Sequence, residues 1–182
     1  MKINEFQRSG FPVEDVTELE QRNRILARKA AEEGIVLLKN EGILPVNTKK
    51  NIALFGSGAI TTVKGGTGSG DVNVRRSVSV LEGMKIAGFH ITSEDWLSDY
   101  LERYQSARET WKKKLIEEAG GVDSPTFFDV YAKNPFQMPD GADISDDDIR
   151  DAETAVYVIS RTTGEASDRK LEKGDYELNA HE

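Results

Sequence analysis

The sequence contains no cysteine and only two histidines in 182 residues. Disulfides, thiolate nucleophiles and cysteine-type zinc sites are therefore excluded. His90 and His181 stand far apart and form no ligand motif. No apolar run approaches the ~20 residues of a membrane-spanning helix. The first ten residues lack the apolar centre of a signal peptide. Basic residues do not gather into a stripe, and net charge is −8, so nucleic acid is not an expected partner. The short run Lys112-Lys113-Lys114 reads as a solvated helix face. These absences lead to the expectation of a cytoplasmic chain with no membrane partner, no metal and no cofactor.

What is present alternates between strand-like and helix-like patterns. With 37% hydrophobic and 31% charged residues, the chain can form an ordinary core and is expected to be one α/β domain over 1–182. Residues 1–16 read as an extended arm. Thr17-x-x-Glu20 is a capping box, and Leu19, Leu26, Ala27, Ala30 and Ala31 follow at helical spacing up to Gly34. Ile35 to Leu38 is expected to be a short buried run, as strand or last helical turn. Asn51 to Phe55 is the first confident parallel strand, followed by Gly56-Ser57-Gly58. Ser77 is expected to cap a helix through Val78, Leu81, Met84 and Ala87, and Phe89-His90-Ile91 to form a second strand. That is a βαβ unit.

Ser93 is expected to cap a long helix over Glu94 to Ala119, apolar along Trp96, Leu97, Tyr100, Leu101, Tyr104, Trp111, Leu115 and Ile116. The prolines and aromatics between Gly121 and Ala142 predict a packed loop, so residues 93–143 read as a helical and irregular stretch. Asp146-Asp147-Asp148 suits a helix N-terminus, which explains these carboxylates better than a cation does. Ala155 to Ile159 is apolar and β-branched, a pattern expected of a strand covered on both faces. Three clear parallel strands make a thin sheet, so the domain is expected to be incomplete. Its open edge and apolar face would favour association into a homo-oligomer.

Two polar segments are candidate sites. Lys64 to Asp71 has glycine at four of eight positions. It is not a Walker loop, because Asp71 stands where Lys-Ser/Thr is required. Gly56 to Thr61 is nearer a dinucleotide fingerprint, but its third glycine is replaced and the next helix is expected to start too late. A nucleotide-binding domain is therefore the weakest reading, and a plain surface loop remains open. The second segment, Ser160 to Arg169, follows the strand at its carboxyl end, where α/β proteins bind ligands. Glu165, between Gly164 and Ala166, is the best single candidate for a general acid. Asp168 and Arg169 would pair with each other or hold a substrate or the loop. The residues alone leave open an ordinary loop, or a non-catalytic module that binds sugar or packs on a partner.

In order along the chain, Ala30 to Val46, Ile52 to Gly56, Gly65 to Val72, Val80 to Met84 and Ser160 to Arg169 resemble segments of one known domain. It is the C-terminal α/β-sandwich domain of glycoside hydrolase family 3. Ser160-Arg161-Thr162-Thr163-Gly164-Glu165-Ala166-Ser167-Asp168-Arg169 is similar to the family's Ser-Arg-x-x-Gly-Glu-Gly-x-Asp-Arg stretch, with Ala166 in place of the commoner glycine. The resemblance implies a layered sandwich with a mostly parallel sheet flanked by helices. Relative to the basic domain of that family, residues 93–143 count as an insertion. It also implies retaining hydrolysis of terminal β-linked glucosyl units, a carbohydrate substrate, and Glu165 as acid/base. Arg161, Asp168, Arg169, Gly65, Gly66, Thr67, Gly68, Ser69 and Asp71 would form one wall of the sugar site. The (β/α)8 barrel that carries the family's nucleophile is missing. The resemblance thus implies a fragment of an enzyme with reversed domain order, inactive alone, whose partner is a barrel of the same polypeptide.

Overall fold

The computed structural model of the protein describes residues 15–47, 50–66, 76–163 and 168–182. The chain divides into two compact units, one ending at Val46 and one spanning Asn47–Glu182.

The first unit contains helix α1, Glu18–Gly34. Its start is the capping box expected from the sequence: the Thr17 hydroxyl accepts from the Glu20 amide at 3.2 Å, and the Glu20 carboxylate accepts from the Thr17 amide at 2.8 Å. The end differs from the glycine stop expected there. Gly34 is the last helical residue, and Ile35 leaves in extended conformation at φ −75°. Ile35 to Leu38 was expected to be buried, but it is irregular and exposed, with Leu38 at 92%. A short apolar run carries no information about which element covers it, and among the described residues of this unit none does. The Asn40 side chain organises the following turn by accepting from the Gly42 and Leu44 amides, each at 3.1 Å.

The second unit is a three-stranded parallel sheet with helices packed on it. β1 (Asn51–Phe55), α2 (Ser57–Ile60), α3 (Val80–Ile86), β2 (His90–Ile91), α4 (Glu94–Ala119), α5 (Phe127–Lys133), α6 (Asp146–Ile149) and β3 (Thr154–Tyr157) follow in sequence. The strand order is β2-β1-β3. Ile52 pairs with Ile91 on one side and Thr154 on the other, and Phe55 pairs with Tyr157. The central strand β1 is buried on both faces, as its continuous apolar run requires. β3 is not. It is an edge strand among the described residues, its burial alternates, and Tyr157 and Ile159 are exposed. Its β-branched run gave no warning, because composition does not reveal edge position.

Two serines act differently from expectation. Ser79, not Ser77, caps α3, accepting from the Glu82 amide at 3.1 Å. Ser93 does not cap α4 with its side chain. Instead its hydroxyl accepts from the Leu54 amide at 2.7 Å and donates to the Leu54 carbonyl at 2.8 Å. β2 is only two residues long. Beyond it, the Thr92 amide bonds the Ile52 carbonyl at 2.9 Å, and Ser93 takes over the next position of the ladder. A side chain thus completes the pairing of a fully buried backbone.

The core gathers along α4. Phe55 meets Trp96 edge-on at 5.2 Å between centroids, and Trp96 stacks on Tyr100 at 5.7 Å. The Trp96 indole N–H donates to the Ala142 carbonyl at 3.0 Å. A Cβ on Gly141 would lie 2.3 Å from the indole ring, so residue 141 must be glycine for this approach. Further along α4, Trp111 donates to the Asn134 carbonyl at 2.7 Å and contacts the rings of Tyr131 and Phe136. The Pro- and aromatic-rich stretch is therefore packed, as expected, and it also forms α5. At α6, Asp148 accepts from the Ser145 amide at 2.8 Å, and Asp147 pairs with Arg150. Among the described residues no group of acidic or histidine side chains has the arrangement to hold a metal ion. No described helix is long and apolar enough to cross a membrane.

Candidate functional site

The carboxyl end of the sheet is built by two chain segments that cross closely. After β1, Gly56 adopts φ 93° and ψ 157°, a conformation essentially restricted to glycine. A Cβ there would sit 2.4 Å from the Val158 carbonyl oxygen. Val158, just beyond β3, donates from its amide to the Phe55 carbonyl at 2.9 Å and accepts from the Gly58 amide at 3.0 Å. Gly56 is thus explained by its approach to Val158. The helix that follows starts at Ser57, earlier than expected, but it lasts one turn.

Locked in this way, the end of β3 delivers Arg161. Every nitrogen of its guanidinium is engaged. Nε donates to the Asp175 carbonyl at 2.7 Å, Nη1 to the Ser160 carbonyl at 3.2 Å, and Nη1 and Nη2 together form a two-pronged pair with the Glu182 carboxylate. The pair is well covered, with the Glu182 side chain only 8% exposed. The Arg161 hydrogen bond holds the Glu182 carboxyl below the usual range, against the opposing effect of burial. Glu182 also accepts from the Asn179 amide at 2.9 Å, while Asn179 Oδ1 accepts from the His181 and Glu182 amides. This is a reciprocal capping arrangement between side chains and backbone amides, though no helix follows it among the described residues.

Arg169 does not pair with Asp168, the arrangement its sequence neighbour suggested. Its guanidinium goes to Asp175, bonding both the carboxylate and the backbone carbonyl. The other carboxylate oxygen of Asp175 accepts from the Lys170 amide at 2.6 Å. That bond, followed by the Arg169 contact, depresses the Asp175 pKa. Arg161 and Arg169 therefore converge on one residue, and both donate to the same carbonyl oxygen. Asp168 is exposed.

Beside this cluster stand two tyrosines. The Tyr157 pKa is raised by burial and by the charges of Glu182 and Asp140. The Tyr100 hydroxyl is buried without a hydrogen bond of ordinary geometry among the described residues, and burial pushes its pKa up. Of the glycine-rich segment, Gly65 and Gly66 are half-buried beyond α2. No hydrogen bond among the described residues links them to Arg161, Asp168 or Arg169. Thr67, Gly68, Ser69, Asp71 and Glu165 lie outside the described residues. The sequence reading missed Asp175 and Glu182. The Asn179-x-x-Glu182 spacing was an available signal for a helix start, but nothing local pointed to Arg161.

Residues 35–181 match the model of the glycosyl hydrolase family 3 C-terminal domain. The chain belongs to this family. The family match extends from the exposed run at Ile35 to the arginine cluster at the far end of the chain. Beta-glucosidase A of Butyrivibrio fibrisolvens is 34% identical over 159 residues, covering 87% of this chain and 17% of that protein. A beta-glucosidase of Ruminococcus albus is 30% identical over 154 residues, 82% of this chain and 15% of its own length. Among solved structures, beta-glucosidase 3B from Thermotoga neapolitana in complex with alpha-D-glucose superposes with a TM-score of 0.57 at 35% identity, covering 88% of this chain and 21% of that one. The family 3 chain thus spans about a sixth of the length of the curated relatives it matches.

Proposed function

We propose that this chain is the α/β-sandwich portion of a retaining β-glucosidase that hydrolyses terminal non-reducing β-D-glucosyl residues. The observation that carries the reading is the family match over residues 35–181, shared with relatives named as β-glucosidases. Glu165 is the acid/base. It protonates the leaving oxygen in the first step and takes a proton from water in the second. Retaining chemistry needs a second carboxylate about 5–5.5 Å away as nucleophile. That carboxylate comes from a (β/α)8 barrel of the same polypeptide. Asp168 and the Gly65–Asp71 loop, backed by Arg161 and Arg169, form one wall of the sugar site. The setting is cytoplasmic, and the chemistry uses neither metal nor cofactor.

The test replaces Glu165 by alanine in the full-length polypeptide. Turnover of unactivated glucosides is expected to fall by a factor on the order of 10²–10⁴, the usual contribution of a general acid. Azide is expected to restore part of the rate on activated aryl glucosides. Unchanged activity in the variant, or aryl-β-glucosidase turnover by residues 1–182 alone, refutes the assignment.

A further inference from the structure

Both ends of the segment that carries Glu165 are tied to a single residue outside it. Arg161 at one end and Arg169 at the other donate to the Asp175 carbonyl. Asp175 is itself held, because its carboxylate binds Arg169 and the Lys170 amide. Arg161 is held a second time by the covered Glu182 carboxylate, which is in turn fixed by Asn179. These bonds consume the donors that would otherwise be free for a ligand. They also close the nine-residue segment at its base, so its two ends cannot separate without breaking charge-assisted bonds.

We propose that Asp175 and Glu182 are positioning residues for the acid/base. They act through Arg161 and Arg169 to fix the base of the 161–169 segment, and neither contacts the sugar. This inference rests on the reading of Glu165 given above. A side chain on a loop can serve as a general acid only if its oxygen stays within hydrogen-bond reach of the leaving atom, and displacement by about 1 Å can cost on the order of 100-fold. Two long arginines alone would not secure that, since each has many rotamers. Asp175 and Glu182 remove this freedom by bonding the guanidinium groups on several edges.

The experiment compares Asp175→Asn and Glu182→Gln with Glu165→Ala in the full-length polypeptide. Each is assayed on a glucoside with a poor leaving group and on 2,4-dinitrophenyl β-glucoside, which needs no acid assistance for cleavage of the glycosidic bond. Asp175→Asn and Glu182→Gln are expected to lower kcat/KM on the poor leaving group by roughly 10–100-fold. On the activated substrate the expected change is under about threefold, as for any change confined to acid assistance. Equal losses on both substrates would mean a general structural role, and no loss would mean no role; either overturns the inference. The Glu165→Ala arm separates the two claims. If it shows no leaving-group dependence, the acid/base reading fails and takes this inference with it. If it does and the two positioning variants do not, only the positioning role is wrong.

Discussion

Replacing Ser93 by alanine tests how the sheet is completed. The Ser93 side chain is buried, and its hydroxyl satisfies both the amide and the carbonyl of Leu54. Leu54 is fully buried, so water cannot take over either bond. The substitution removes one small group and leaves two backbone polar groups unpaired. Each unpaired group costs about 1–3 kcal/mol, so the total is expected at about 2–6 kcal/mol. For a unit of this size, at about 4 °C per kcal/mol, Tm falls by roughly 8–24 °C. Trp96 and Trp111 both lie on α4, so urea denaturation followed by tryptophan fluorescence reads the unit that contains the lesion. Thr92→Val is the control. The Thr92 hydroxyl makes a long 3.3 Å bond to the Ile52 carbonyl, which keeps the Thr92 amide at 2.9 Å. Its loss should cost under about 1 kcal/mol. If Ser93→Ala lies within about 0.5 kcal/mol of the wild type, the ladder argument is wrong.

Two further outcomes follow from the same end of the sheet. Gly56→Ala is expected to destabilise by roughly 3–5 kcal/mol, because its conformation excludes a side chain and its Cβ would collide with Val158; a denaturation midpoint close to the wild type would contradict this. Acid should weaken the Arg161–Glu182 pair. The native carboxyl titrates below its unfolded value of about 4.3, so its contribution is complete above that pH and is lost as pH falls through the native pKa. The midpoint of the wild type should therefore fall more than that of Glu182→Gln between pH 7 and pH 3, whereas parallel curves would show that the pair is not the source.

Local signals were legible where one residue's chemistry fixed one local geometry. The Thr17 capping box, the bounds of α4 at Glu94 and Ala119, and strand β1 needed nothing but neighbouring residues. The failures share a cause. Ile35 to Leu38, Ala155 to Ile159 and Ser93 were all assigned by what their side chains prefer, while their actual state depends on what lies beside them. An apolar run is exposed or buried according to what covers it, and a serine serves whichever backbone group is nearest. At the site, the position of Arg161 after a strand was visible, but its partners lie 14 and 21 residues further on.

The sequence by itself determined the family, because motifs survive in order along the chain and each reflects short-range constraints. It also determined the alternation of strands and helices, since hydrophobic period is a local property. Tertiary structure decided that β1 is central and β3 an edge, which depends on how many neighbours each strand acquires. It decided that Ser93 pairs with Leu54, because β2 is too short to do so with its own backbone. It also decided that Arg161 and Arg169 face Asp175 and Glu182. That choice follows from closing the chain into a turn after the strand, where two cations flanking a loop reach the same carbonyl and their counter-charges.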